Sequence, residues 1–306
     1  MALQQFGGRW TTDKLERLRK YLAAYVQIMK NRRYRFAYID AFAGTGYIEP
    51  RARKKKKDAG PTLTPVDAAD PETFKAFAEA ESQEFLEGSA RIALRIEPRF
   101  HKYIFIERKA ARCAELERLK VEFPDLAGDI QIVNEDANGY LRQMCAKSWK
   151  DRRAVLFLDP FGMAVEWSTV QAIAKTRAID LWYLFPLGVA VNRLLSSDGR
   201  INDGWSRSLD RVFGTHDWYD AFYRVTKQDD LFGEQATKTS KVANFGCITE
   251  FFVERLRQAF GQKSVAANPL PLYSSCNNPL FLLCFACGNP SAAKTAVKIA
   301  DHVLGG

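Results

Sequence analysis

Phe36-Ala-Tyr-Ile-Asp40-Ala-Phe-Ala-Gly44-Thr-Gly46 is an apolar run that ends on an acid and passes directly into two glycines. A short apolar run bounded by turn residues reads as a buried strand, and glycines beyond its carboxyl end let the backbone approach a ligand closely. A second stretch repeats the arrangement. Arg153-Ala-Val-Leu-Phe-Leu-Asp159 is apolar on both faces and leads into Pro160-Phe161-Gly162. Both motifs fall where an open α/β sheet presents its ligands. The first suits a nucleotide-like cofactor, the second the group on which that cofactor acts.

On either side of these motifs, Lys102 to Glu107, Asp129 to Asn134 and Ile179 to Phe185 are further strand candidates, the last stopped by Pro186. Between them, apolar residues at helical spacing predict helices over 109–122, closed by Pro124, and 138–149. Thr12 to Lys30 carries Leu15, Leu18, Leu22, Tyr25, Val26 and Met29 on one face, with Thr11 or Thr12 as the N-cap. Helices are also expected near 84–99, 245–260 and 291–304, and Val265 to Tyr273 with Pro279 to Cys287 form a closing strand pair. Strand and helix in alternation imply an α/β fold with a doubly wound, mostly parallel sheet. Two stretches break the rhythm. Residues 50–83, with Pro61, Pro65, Pro71 and a lysine run, read as a basic loop insertion, and 195–241 as a helical, aromatic insertion without a strand. The expectation is one domain over 1–306 that contains both.

A chain of 306 residues, 47% of them hydrophobic, can bury a substantial core. Its apolar runs, such as Leu280 to Cys287, are too short to cross a bilayer, and its first residues lack a basic segment followed by an apolar stretch, so a cytoplasmic protein is expected. The six cysteines are scattered rather than spaced as a framework. Cys284 and Cys287 form a CxxC inside an apolar run with no second pair, which reads as buried small hydrophobes, and with three distant histidines no metal site is expected.

The formal net charge of +9 favours an acidic partner such as nucleic acid. The run Arg51-Ala-Arg53-Lys54-Lys55-Lys56-Lys57 is ordinarily a solvated loop, yet it follows the first motif directly and is within reach of a phosphate backbone there. Lys238 and Lys241 are further candidates for phosphate contacts. Trp205, Arg207, Arg211, Trp218, Tyr219, Phe222, Tyr223 and Arg224 suit stacking on unpaired bases and phosphate binding, or, for the aromatics, simple core packing.

The glycine segment is not a full GxGxxG, because Glu49 stands where the third glycine would be. An acid at the pyrophosphate position argues for a cofactor without phosphates. Glu107 at a strand end can take both ribose hydroxyls, but it lies far beyond the roughly 20 residues of a compact unit and so requires the first insertion. Asp136 can accept from an adenine amino group; either acid can equally be an ordinary strand end. In Asp159-Pro160-Phe161-Gly162, the carboxylate and the next carbonyl can accept both N–H groups of an exocyclic amine. That localises the nitrogen lone pair for in-line attack on a sulfonium methyl, while Phe161 stacks on the base. A turn with Asp159 capping local amides is the alternative.

These residues resemble class I S-adenosylmethionine-dependent methyltransferases, and DPFG resembles their amino-methyltransferase signature without its second proline. Across its length, through WTTDKLERLRKYLAAY, DAFAGTG, DPFG and NPLFLLCFACGNP, the chain looks most like the three-Cys-motif partner family. The resemblance implies a Rossmann-like sheet with a C-terminal antiparallel strand. It also implies S-adenosylmethionine held by Asp40, Phe42, Ala43, Gly44, Gly46, Glu107, Asp136 and Ala137, with catalysis by Asp159, Pro160 and Phe161. The implied substrate is a nucleic-acid base amine, RNA rather than DNA, and the implied companion a radical-SAM-like three-Cys protein. The competing expectation is a non-catalytic nucleic-acid-binding partner with the same fold.

Overall fold

The computed structural model describes residues 9–44, 87–160, 162–229, 235–274 and 276–305. In chain order these form α1 (Arg9–Met29), β1 (Arg35–Ala41), α2 (Glu87–Leu94), β2 (Lys102–Ile106), α3 (Ala110–Glu122), β3 (Ile130–Val133), α4 (Ala137–Cys145), β4 (Arg152–Leu158) and α5 (Trp167–Lys175). There follow β5 (Ile179–Phe185), α6 (Asp203–Phe213), α7 (Trp218–Phe222), β6 (Tyr223–Asp229), β7 (Gln235–Lys241), α8 (Phe245–Phe260), β8 (Leu270–Tyr273), β9 (Pro279–Ala286) and α9 (Ala293–Gly305). The basic insertion and Gly46 lie outside the described residues, as does Phe161.

The main sheet has seven strands in the order β3-β2-β1-β4-β5-β9-β8. β1 to β5 pair in parallel, and β9 runs antiparallel between β5 and β8. This Rossmann-like arrangement, with its reversed strand near the C-terminus, is the one the resemblance implied. The chain builds outward from β1 to β3, then crosses back to β4, so the topological switch lies between β1 and β4.

Each central strand is apolar on both faces because helices cover both. Tyr38, Phe105, Phe157, Trp182 and Phe285 face one layer with Leu18, Leu22 and Val26 of α1, Ala90 of α2 and Ala300 of α9. Ile39, Leu156, Leu181 and Cys284 face the other, with Leu141 of α4, Val170 of α5 and Phe252 of α8. Cys284 and Cys287 therefore lie on opposite faces of the sheet, where burial raises both thiol pKa values. Among the described residues no helix is long and apolar enough to cross a membrane.

Three sequence expectations need correcting. Thr11 and Thr12 are inside α1, which already runs from Arg9, so neither is its N-cap. The helix expected to reach residue 99 stops at Leu94, four residues short of Pro98, a residue that disfavours helix just before it. The stretch 195–241 is not wholly helical: β6 and β7 form an antiparallel hairpin. Its alternation of threonine with charged residues carries no apolar period, and that absence concealed the strands.

The turn after β5 is tight for a steric reason. Leu187–Val191 forms one π-helical turn against β9, and a Cβ on Gly188 would run into the backbone carbonyl of Pro279. Backbone cannot give way as a side chain can. Gly188→Ala is expected to destabilise the fold by about 3 kcal/mol, read as a lower denaturant midpoint with an unchanged slope.

Candidate active site at the carboxyl edge of the sheet

Ala41, Ile106, Val133 and Leu158 stand in one row across neighbouring strands, paired Ala41 with Ile106, Ile106 with Val133 and Ala41 with Leu158. The residues that follow them therefore emerge side by side at one edge. They are the glycine segment, Glu107, the Asn134-to-Asp136 turn and Asp159. Open α/β sheets bind ligands at this edge, next to the switch point.

The glycine segment is pinned to the end of β2. Phe42 and Ala43 donate their N–H groups to Ile106 O at 3.1 and 2.9 Å, and Gly44 donates to Glu107 Oε2 at 3.0 Å. Phe42 has φ 74° and Gly44 φ 63°. A side chain at positive φ is strained, and strain of this kind is held only where surrounding bonds fix it. Glu107, 5% exposed, also accepts the Lys109 N–H at 2.8 Å and has Arg112 Nη1 at 3.7 Å. Its carboxylate is thus oriented by backbone donors and partly neutralised.

Asp136 is exposed and is the N-cap of α4, accepting the Gly139 N–H at 2.9 Å, with Ala137 buried behind it. Next to it is a residue that sequence reasoning missed. Asn138 donates to Ala164 O at 2.8 Å and accepts from Glu166 N at 3.0 Å and Thr169 Oγ1 at 2.9 Å. It ties α4 to the segment that follows Asp159-Pro160.

Asp159 and Pro160 are both buried, and Asp159 Oδ2 accepts a hydrogen bond from Lys14 Nζ at 2.7 Å. Lys14 is fully buried in α1, its ammonium 5.3 Å from the Phe157 ring centroid. Burial pulls Lys14 down to about 8, against the opposing pull of Asp159 and then Asp40, so the ammonium remains charged at neutral pH. Asp159 is raised by burial and lowered by Lys14. Its Oδ1 makes no hydrogen bond among the described residues.

Asp40, expected to touch a cofactor, has no exposed surface; it faces the α1 side of the sheet and accepts from the Tyr38 hydroxyl at 3.3 Å. Burial raises it to about 7. Asp159 adds to the rise, while Ser89, Lys14 and Tyr38 oppose it. Ser89 is near enough to favour the carboxylate, although neither Ser89 Oγ nor Asp40 Oδ1 completes a hydrogen bond among the described residues.

The hairpin changes the candidate phosphate contacts. Lys241 is not a free cation: its ammonium donates to Asn192 Oδ1 at 2.8 Å, Leu195 O at 3.3 Å and Asn192 O at 3.4 Å. Burial lowers its pKa, and its work is to root β7. Lys238 is exposed. Trp218, Phe222 and Tyr223 are buried with Phe213, so for these aromatics core packing holds over base stacking. The phosphate contacts expected of Arg53, Lys54, Lys55 and Lys56 lie outside the described residues.

The donor set fits S-adenosylmethionine. Carboxylates at the ends of β2, β3 and β4 suit ribose hydroxyls, an amino group and a sulfonium cation, and the N–H groups of 42–44 are already spent on Ile106 O and Glu107 rather than left for a pyrophosphate. The fold is Rossmann-like. No family model matches the chain, and no curated protein matches its sequence. Among solved structures, protein LPL1258 from Legionella pneumophila gives a TM-score of 0.41 at 14% identity, over 84% of this chain and 94% of that one. The putative methyltransferase yhhF from Escherichia coli gives 0.30 at 13% identity, over 74% and 85%. A putative rRNA-methylase from Clostridium thermocellum gives 0.30 at 10%, over 78% and 100%.

Two outcomes test the buried charges. Lys14→Met should cost about 3–5 kcal/mol by leaving Asp159 without its counterion, and adding Asp159→Asn should restore much of that; a double-mutant cycle in urea measures both. The folded protein keeps the Asp40 proton to about 7, whereas a carboxyl free of this burial loses it near 3.8. Folding therefore takes up a proton between those values, and stability falls as pH rises through them. Asp40→Asn should remove this part of the slope, so its stability relative to the native chain climbs from about pH 4 to pH 7 in pH-dependent urea titrations.

Proposed function

We propose that the chain is an S-adenosylmethionine-dependent methyltransferase acting on an exocyclic amino group of a nucleic-acid base. One observation carries the reading: the register row of Ala41, Ile106, Val133 and Leu158 sets the glycine segment, Glu107, Asp136 and Asp159 along one edge at the β1–β4 switch. Glu107 takes the ribose, Asp136 and Ala137 border the adenine, and Gly44 and Gly46 close on the cofactor, which supplies an electrophilic methyl group.

Asp159 acts on the substrate side. Lys14 holds Oδ2, which favours the charged carboxylate against burial and fixes its rotamer, and leaves Oδ1 to accept one amine N–H while the Pro160 carbonyl accepts the other. The nitrogen lone pair is then directed at the methyl group, and the buried setting strengthens both hydrogen bonds. Phe161 stacks on the base. Residues 1–306 act as one domain with 195–241 as its substrate-side insertion, and the family resemblance adds a radical-SAM-like companion.

Calorimetry with S-adenosylmethionine and its demethylated product should give binding for the native chain and for the neutral pair Lys14→Met/Asp159→Asn. Methyl transfer to RNA or DNA by that variant should fall at least about 100-fold. Absence of binding to either compound, or transfer undiminished in the variant, would overturn the assignment.

A further inference from the structure

The hairpin β6–β7 is a two-stranded sheet separate from the main one. Cross-strand pairs put Tyr223, Val225, Thr239 and Lys241 on one face and Arg224, Thr226, Lys238 and Ser240 on the other. At its root the first face turns to the body, while Val225 farther along it is 59% exposed. Tyr223 donates its hydroxyl to Ser196 O at 2.9 Å, its ring is 4.8 Å from that of Tyr219, and Thr239 fills the space that a Cβ on Gly199 would need. Lys241 N–H adds a bond to Ser197 O at 3.0 Å.

The second face has no such support. Arg224, Thr226 and Lys238 are exposed, and no ion pair engages either cation among the described residues. Arg224 and Lys238 are diagonal neighbours across the ladder, about 7–8 Å apart at the backbone, with the hydroxyls of Thr226 and Ser240 between them. Among the described residues this face carries cations and hydroxyls and no acid, and the Thr226 hydroxyl, which donates to Lys238 O at 3.2 Å, keeps its acceptor side free.

Its position matters as much as its charge. The ribbon is rooted on Asn192, Leu195, Ser196 and Ser197, which follow the carboxyl end of β5, and Tyr183 of β5 pairs with Leu158 beside Asp159. A free hairpin of two strands is marginally stable, and this ribbon is braced only at its root, with the exposed cations Arg224 and Lys238 together on the face turned from the body.

We infer that this bare face of the hairpin seats in the major groove of B-form DNA next to the methylation site, with Arg224 and Lys238 on phosphates and Thr226 and Ser240 at the groove floor. The B-form major groove, about 12 Å wide, admits a two-stranded ribbon. The A-form groove of duplex RNA is too narrow for one, and single strands offer no groove at all. The inference rests on the methyltransferase reading for its target base and turns the preference from RNA to duplex DNA.

Fluorescence anisotropy with a mixed-sequence DNA duplex of about two helical turns, the same sequence as duplex RNA, and each single strand provides the test. The DNA duplex should bind tightest. Arg224→Gln/Lys238→Gln should weaken it on the order of tenfold and reduce the log–log salt slope by about 2, while the charge-matched Lys294→Gln/Lys298→Gln on α9 leaves both unchanged. Equal binding of duplex RNA or single strands, or identical behaviour of the two variants, overturns the inference. Calorimetry with S-adenosylmethionine on the same preparations separates the two failures. Cofactor binding without preference for duplex DNA sinks the ribbon alone, whereas ribbon-dependent DNA binding without cofactor binding supports the ribbon and sinks the methyltransferase.

Discussion

The Lys14–Asp159 ion pair joins residues 145 positions apart and stands at the centre of the layer between α1 and the sheet. Two carboxylates, Asp40 and Asp159, project from adjacent strands onto that layer, and burial disfavours charge on both. One ammonium compensates them. An apolar stripe alone tolerates sliding by a turn, since burial is non-directional; a buried ammonium has one place to go. The pair therefore fixes the register of α1, and with it Tyr21, whose hydroxyl reaches Asp180 of β5 at 2.8 Å. Both motifs that mark the candidate site depend on the same cation.

A second constraint operates at the carboxyl end of β2. The backbone of 42–44 spends its donors on the end of β2 and accepts a positive φ at Phe42 to do so. The arrangement holds Glu107 in place and closes the region where a pyrophosphate would otherwise find unpaired N–H groups. What the N–H groups of 42–44 can offer a ligand is thus set by what they bond to inside the protein, more than by the number of glycines nearby.

Much of this was legible in the sequence, and what was not has physical causes. β5 and α8 match their expected spans residue for residue, because an unbroken apolar run and a clean helical period are strong signals. The edge positions of Glu107, Asp136 and Asp159 followed from strand ends alone. Lys14 was missed although its signal is visible: Trp10, Lys14, Leu18 and Leu22 recur every four residues, and a charge inside an apolar stripe asks for a buried partner. Asn138 was missed because a capping turn and a buried clamp share the same short polar sequence. Strand alternation sets which face a residue takes: Asp40 shares the parity of Tyr38, and Asp159 that of Phe157, so both carboxylates face α1 and meet Lys14 there.

Charge is distributed in a way that joins these observations. The chain is net positive, yet the sheet edge at the switch point is lined by carboxylates, while the inserted ribbon carries exposed cations. Acids at the centre attract a sulfonium and an amine and repel phosphate; cations on the insertion attract phosphate. Under the proposed function, that separation would let the insertion hold a polyanion while the edge, hostile to phosphate, meets only a neutral, amine-bearing group on it.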